Sequence, residues 1–115
     1  MIPKGGVSVT IIPKISSVTG GSCTDISLKI NSTENFDDIF YVYLNNDALP
    51  SSSRADKAWF NWRSEAVPVP AGKAVTIPVK AGIPYGINGT KSFRIYANST
   101  KWQSIAYDTG GLKII

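Results

Sequence analysis

Acid–base chemistry in this 115-residue chain would depend on eight carboxylates, because the sequence contains no histidine. Histidine is the side chain that most often serves as a general base near neutral pH. A glycosidase needs two carboxylates facing each other across a cleft, and the spacing along the chain selects no such pair. Most of the eight lie in polar segments, where an aspartate commonly accepts hydrogen bonds from turn amides. We therefore predict no catalytic residue among Asp25, Glu34, Asp37, Asp38, Asp47, Asp56, Glu65 and Asp108.

Two polar segments carry the oxygen-bearing side chains that calcium prefers. The two clusters are Asn45, Asn46 and Asp47, and Asp37 and Asp38 together with Asn35. Neither has the alternating acidic residues, central glycine and final glutamate of a calcium-binding loop. Asn and Asp are also the usual residues of turns, so we expect no metal ion at either cluster.

The glycine pairs and the single cysteine indicate no cofactor. Gly20-Gly21 and Gly110-Gly111 lack the Lys-Ser/Thr sequence and the following helix of a phosphate-binding loop. Cys23 is the only cysteine, so the chain can form neither an internal disulfide nor a multi-cysteine metal site. Without a histidine to activate the thiol, a nucleophilic role for Cys23 is not expected. We predict no cofactor and no enzymatic activity.

Aromatic side chains are the best candidates for a binding site. Trp59 and Trp102 are the tryptophans that alternation does not place inward, and exposed rings there would stack on sugars. Packing over the open ends of the fold is the explanation we favour, since burying an indole is strongly stabilising. Trp62 shares one side of a strand with Phe60, so we expect Trp62 in the core and Trp59 more exposed. The remaining aromatic candidates are Tyr41, Tyr43, Tyr85, Tyr96 and Tyr107.

Three Asn-X-Ser/Thr sequons, at Asn31, Asn88 and Asn98, are possible glycosylation sites at predicted strand ends or turns. The net charge of +4 comes from basic residues dispersed along the chain, whereas nucleic-acid binders cluster them. No apolar run reaches the roughly 20 residues of a transmembrane helix. We expect neither nucleic-acid binding nor membrane insertion, and a cell-surface location for a domain (residues 1–115) excised from a larger protein.

Apolar residues alternate with polar ones over most of the chain, which predicts β-strands. Proline within residues 67–70 and at Pro78 predicts edge strands, because proline has no amide donor. Residues 16–22 and 108–111 are rich in glycine and small polar residues, and we predict turns there. The residues predicted to form one core are Ile26, Leu28, Ile30, Phe40, Val42, Leu44, Val75, Ile77, Val79, Phe93 and Ile95.

About seven short strands separated by Gly, Pro and Asn turns predict an all-β, immunoglobulin-like sandwich of two antiparallel sheets. The segments DISLKIN, STENFDD and IFYVYLN resemble strands B and C, with their connection, of fibronectin type III and related immunoglobulin-like domains. VPVPAGKAVTIPVKAGIP is similar to their paired edge strands, and KSFRIYANS to strand F. The resemblance implies a cell-adhesion-related module of an archaeal or bacterial surface protein, without the cysteine pair of antibody domains.

Two functions from different classes remain open. The first is a structural or adhesive module of an extracellular protein, whose partners are neighbouring domains of the same chain, other surface proteins or glycans. The second is a carbohydrate-binding module that uses exposed aromatic residues, with Trp59 and Trp102 as its candidates.

Overall fold

The computed structural model describes residues 7–33, 37–62, 65–100 and 105–115, which form two packed β-sheets. The strands are β1 (Val7–Ile12), β2 (Ile15–Val18), β3 (Cys23–Ser32), β4 (Asp38–Leu44), β5 (Glu65–Val69), β6 (Ala74–Gly82), β7 (Gly89–Ser99) and β8 (Ile105–Ile114). One sheet has the order β1-β3-β6, and the other has the order β2-β8-β7-β4-β5. The all-β sandwich is therefore confirmed, with eight strands among the described residues where about seven were predicted.

The core lies between the two sheets and follows the alternation of the sequence. Successive side chains of a strand point to opposite faces, so every second residue enters the core. Leu28 on β3 and Val42 on β4 are completely buried. Nine of the eleven predicted core residues are buried, and Leu44 and Val75 are half-buried against the same cluster.

The turn predicted over residues 16–22 is wrong in its first half, because β2 occupies Ile15–Val18. This strand runs parallel to β8, whereas all the other paired strands are antiparallel. Ser16 and Val18 point inward and are buried, so the serines that suggested a turn alternate as strand residues. The N-terminal segment therefore pairs with one sheet through β1 and with the other through β2.

The break predicted at residues 108–111 is also absent, because β8 continues from Ile105 to Ile114. Gly110 lies opposite Phe93 of β7 in the register of the two strands. A Cβ atom on Gly110 would lie 2.7 Å from Cζ of Phe93. The glycine is therefore a packing requirement, since it leaves space for a buried ring, and it does not mark a turn.

Replacing Gly110 by alanine is expected to lower the free energy of unfolding by about 1–3 kcal/mol, as overpacking of a core does. The backbone of Gly110 lies outside the left-handed region, so the cost arises from the contact with Phe93. Gly111→Ala is the matched control, because a Cβ there would meet its nearest neighbour at an ordinary 3.5 Å. Urea denaturation of both variants measures the difference. Equal midpoints would show that the space beside Phe93 is not needed.

The predicted edge strands are confirmed. Among the described strands, β5, which contains Pro68, pairs with β4 alone, and β6, which contains Pro78, pairs with β3 alone; one isolated bridge joins Phe60 to Ala81 of β6. An edge strand tolerates a missing amide donor when that position faces away from the ladder. Both prolines therefore lie on edge strands, and the missing N–H of each removes no hydrogen bond between strands in the interior of a sheet.

The segment between β4 and β5 contains three single turns of 3-10 helix and no longer helix among its described residues. Phe60 is buried there and packs against Phe93, with ring centroids 5.0 Å apart. The expectation that Trp62 fills the core is wrong, because Phe60 takes that place. Trp62 is half-buried at the rim, where its Nε1 donates a 3.4 Å hydrogen bond to the carbonyl of Val42. Trp59 is likewise half-buried against the core, as expected for an aromatic residue that packs over the open end of the fold.

Candidate binding face

Four tyrosines lie together on the outer surface of the five-stranded sheet. Alternation places Phe40 and Val42 of β4 inward, so Tyr41 and Tyr43 point outward. The same alternation directs Tyr96 of β7 and Tyr107 of β8 to that surface. We call the surface formed by Tyr41, Tyr43, Tyr96, Tyr107 and Arg94 the tyrosine face.

Strand register brings these rings into contact. Tyr43 pairs with Tyr96, which in turn pairs with Tyr107, so three rings form a row across three strands. The ring centroids of Tyr43 and Tyr96 are 5.1 Å apart, and those of Tyr96 and Tyr107 are 5.4 Å apart. Tyr41 adjoins the row, 6.3 Å from Tyr43. Cross-strand aromatic pairs of this kind stabilise a sheet and hold the rings in fixed positions.

The tyrosine face is open to solvent and has apolar neighbours. Tyr41 is 46% exposed and Tyr107 is 56% exposed. Ile39 precedes Tyr41 on the same side of β4, and Ile105 precedes Tyr107 on the same side of β8, both similarly exposed. Single exposed apolar residues are ordinary, whereas a contiguous group marks a site of interaction. The grouping here is contiguous, because the residues adjoin in the register of the sheet.

Arg94 on β7 is fixed above one end of the row. Its Cζ lies 4.8 Å from the ring centroid of Tyr107, which is the geometry of a cation–π contact. Its Nε donates a 3.1 Å hydrogen bond to Oγ1 of Thr109, and its Nη1 donates to the hydroxyl of Tyr96. The hydrogen bond with Tyr96 raises the pKa of Arg94 above its ordinary value. The guanidinium is therefore a permanent, oriented positive charge within an aromatic surface.

The rings of the row contact one another, and Tyr43 and Tyr96 do so through their faces. The Tyr43 and Tyr96 planes are stacked, with only 4° between them. Tyr96 also contacts Tyr107 on the next strand, and the Tyr107 ring is covered by Arg94. Sugars bind aromatic rings through an open ring face, because the apolar side of a pyranose lies flat on the ring. The stacking of Tyr43 on Tyr96 therefore leaves less open ring face for a sugar on this part of the row.

The candidates for sugar stacking lie elsewhere. Trp59 is half-buried against the core, and Trp102 lies outside the described residues. Tyr85, in the loop between β6 and β7, is 86% exposed. Its ring lies against Gly21, where a Cβ would come within 2.4 Å of Cε1 of Tyr85. Glycine at this position, with a φ of +85°, allows the ring to lie over the turn.

The three sequons occupy different environments. Asn31 on β3 and Asn88 in the turn before β7 are exposed, as an attached glycan requires. Asn98 is half-buried within β7, where it lies opposite Tyr41 on the neighbouring strand. A glycan at Asn98 would therefore lie against the tyrosine face, whereas glycans at Asn31 or Asn88 would leave it accessible.

The polar clusters considered for calcium serve the local structure. Asp47 forms a 3.0 Å ion pair with Lys57, and the buried side chain of Asn46 donates to the carbonyl of Ala55. In the other cluster Asp37 accepts from the amide of Ala71, and buried Asp38 accepts from the hydroxyls of Ser99 and Thr100. Asn35 lies outside the described residues.

Within the described part of the chain, no three His, Cys, Asp or Glu side chains are grouped as metal ligands. The same residues contain no helix that is both long and apolar enough to span a bilayer.

The sequence identifies the tyrosines as candidates but does not show that they lie together. The pattern of β4, apolar on both sides, predicts a central strand, and β4 does lie between β7 and β5. Its outer side is nevertheless exposed at Ile39 and Tyr41. The sequence does show tyrosine at the outward positions of three different strands. These tyrosines can be recognised as one site only when the register of the strands is known.

No protein-family model and no curated protein matches the sequence. Among solved structures, the chain is similar to PapD-like (ASH) domain 7 of human CEP192, with a TM-score of 0.54 and 14% identity, over 93% of this chain and 83% of that one. It is also similar to a beta-glucosidase from Listeria innocua, with a TM-score of 0.49 and 13% identity, over 96% of this chain and 16% of that one. Neither likeness indicates catalysis by this chain. The likeness to the CEP192 domain concerns the fold alone: the chain is an immunoglobulin-like β-sandwich.

Proposed function

We propose that the chain is a non-catalytic structural or adhesive module of an extracellular surface protein, and that it binds other proteins through the tyrosine face. The observation that carries the proposal is the exposed row of tyrosines with Arg94 fixed above it. The exposed sequons at Asn31 and Asn88, and the fibronectin-like strand pattern, support a surface location.

The composition of the tyrosine face favours a polypeptide as its partner. Tyrosine and arginine are enriched at protein interfaces and at their energetic hot spots. A tyrosine has only two side-chain torsions to fix, so it presents a large contact area at low entropic cost. Here the rings already hold one another through cross-strand contacts, which lowers that cost further.

Carbohydrate binding is the second candidate, and the exposure of Tyr85 is the observation in its favour. One open ring can stack on one sugar unit, while neighbouring polar groups would bind the hydroxyls. The tyrosine face fits this role less well, because the stacked rings of Tyr43 and Tyr96 cover each other. The two candidates therefore use different residues and can be separated by mutation.

Panning a library of random peptides displayed on phage against the immobilised chain tests the protein-binding proposal. We expect enriched peptides whose affinity falls at least about tenfold on a variant carrying Tyr41→Ser and Tyr107→Ser, since hot-spot tyrosines contribute at this level or more. Both rings are about half exposed, so the variant should still fold, which its thermal unfolding curve verifies. Tyr85→Ser is the matched control, because this exposed tyrosine lies outside the tyrosine face.

Two results would count against the proposal. Peptides that bind the double variant as tightly as the parent would exclude the tyrosine face as the docking surface. A saturable change in intrinsic fluorescence with a soluble polysaccharide, present in the parent and lost in Tyr85→Ser, would establish the carbohydrate-binding function in its place.

A further inference from the structure

We propose that the partner segment is acidic: a polypeptide in which an Asp or Glu carboxylate lies beside an apolar side chain. Arg94 binds the carboxylate, and the neighbouring rings of the tyrosine face cover the apolar side chain. This inference rests on the proposed protein-binding function and specifies the chemistry of the partner.

The charged side chains on the outer surface of strands β4, β7 and β8 are all positive among the described residues. Along the outward positions of β4, β7 and β8, the described residues include two charged side chains, Arg94 and Lys113, and both are cations. The chain as a whole carries a net charge of +4. Complementary potentials speed association and suppress unsuitable partners. A partner with a carboxylate at this position is therefore favoured over a neutral or basic one.

The guanidinium of Arg94 is prepared for such a carboxylate. Of its five N–H donors, one on Nε binds Thr109 and one on Nη1 binds Tyr96. The remaining N–H groups, on Nη2 and Nη1, have no partner among the described residues and suit the two oxygens of a carboxylate. Because Thr109, Tyr96 and the Tyr107 ring already fix its orientation, little further side-chain entropy is lost when the carboxylate binds.

A second copy of this chain is a less suitable occupant. Packing two tyrosine faces together would bring both copies of Arg94 into one interface, and the outward positions of the described strands β4, β7 and β8 supply no carboxylate to pair with them. Like charges brought together at an interface oppose association. An apolar partner without acidic groups would remove water from the guanidinium and supply no negative charge to balance it.

The phage-derived peptides that bind the tyrosine face provide the test. We expect Asp or Glu to be enriched in them beside an aromatic or aliphatic residue.

A synthetic peptide in which the enriched Glu is changed to Gln should bind the parent chain about tenfold more weakly, as loss of a charge-assisted hydrogen bond implies. The same change should have little effect on binding to Arg94→Gln, because the interacting charge is already gone. Lys113→Gln is the control for general electrostatics and should retain the preference for Glu.

Three outcomes would overturn the inference and leave the protein-binding function standing. The first is a set of peptides that require the tyrosine face but show no acidic enrichment. The second is a Glu-to-Gln penalty that persists in Arg94→Gln. The third is dimerisation of the chain, detected by light scattering and abolished by Tyr41→Ser with Tyr107→Ser. Failure of every peptide to depend on the tyrosine face would refute the proposed function itself.

Discussion

Replacing Phe93 by alanine is expected to lower the free energy of unfolding by about 3–5 kcal/mol, the range for truncating a buried aromatic residue. Phe93 is 1% exposed and lies between Phe60, whose ring centroid is 5.0 Å away, and Gly110 of the neighbouring strand. The loss combines the transfer free energy of the ring with the cost of the cavity, because the structure around a truncated core residue relaxes only partially.

Urea denaturation measures the effect, with Leu28→Ala as a second core variant and Ile105→Ala as the surface control. Leu28 is fully buried, and its loss should cost about 2–5 kcal/mol. Ile105 is 56% exposed, and its loss should cost less than about 1 kcal/mol. Unchanged midpoints for Phe93→Ala and Leu28→Ala together would be incompatible with a core between two sheets.

Replacing Asp108 by asparagine is expected to lower the free energy of unfolding at neutral pH by about 1–3 kcal/mol, as for hydrogen bonds to a charged group. The carboxylate accepts from the amide of Ile11 at 2.9 Å and from the amide of Thr109 at 3.0 Å, and it pairs with Lys14. It therefore fastens the segment from β1 to β2 onto β8. Without a carboxylate, the amide of Ile11 loses a charged partner near the core.

The same interactions predict how stability depends on pH. Burial alone raises the pKa of Asp108, but the hydrogen bonds from Lys14 and Ile11 outweigh it and hold the pKa below its ordinary value of 3.8. A depressed pKa in the folded state gives a stabilisation that is complete above the unfolded value. This stabilisation is lost as the pH falls below 3.8 and through the folded pKa.

Urea midpoints recorded from neutral pH into this acidic range should converge for the parent and Asp108→Asn. Asp25→Asn is the control, because Asp25 is paired with Lys80 at the exposed surface and its loss should cost little. A gap between parent and Asp108→Asn that stays constant down to the lowest pH would show that the carboxylate charge is not responsible.

The interior could be predicted from sequence because alternation reports directly which side chains are buried. The wrong predictions concern residues whose type suggests a turn although pairing with a distant strand places them in a strand. Ser16 and Ser17 look like turn residues, but pairing with β8 makes them part of a strand. Gly110 looks like a strand end, but it is required by the ring of Phe93 on another strand. Neither partner can be identified from the local sequence alone.

The tyrosine face, too, depends on contacts between strands that the local sequence does not reveal. Each tyrosine of the tyrosine face was visible as an aromatic residue on one side of a strand. Their assembly depends on the register that places Tyr43 opposite Tyr96 and Tyr96 opposite Tyr107. Tyr43 and Tyr96 are more than fifty positions apart in the chain, and Tyr96 and Tyr107 lie on two different strands, so no spacing within one segment encodes the register. The glycosylation of Asn31, Asn88 and Asn98 stays a prediction.

The parallel pairing of β2 with β8 has a mechanical consequence. The carbonyl of Lys14 accepts from the amide of Gly111, and the carbonyl of Val18 accepts from the amide of Ile115, each at 2.9 Å. Tension applied between the two ends of the fold pulls β2 and β8 in opposite directions along their lengths. The bonds of a parallel ladder are evenly spaced and run between the strands at a slant, so they are loaded together in shear and are not separated one at a time. The β2–β8 ladder therefore resists such tension as a unit, in addition to the β1–β3 pairing that precedes it in the chain.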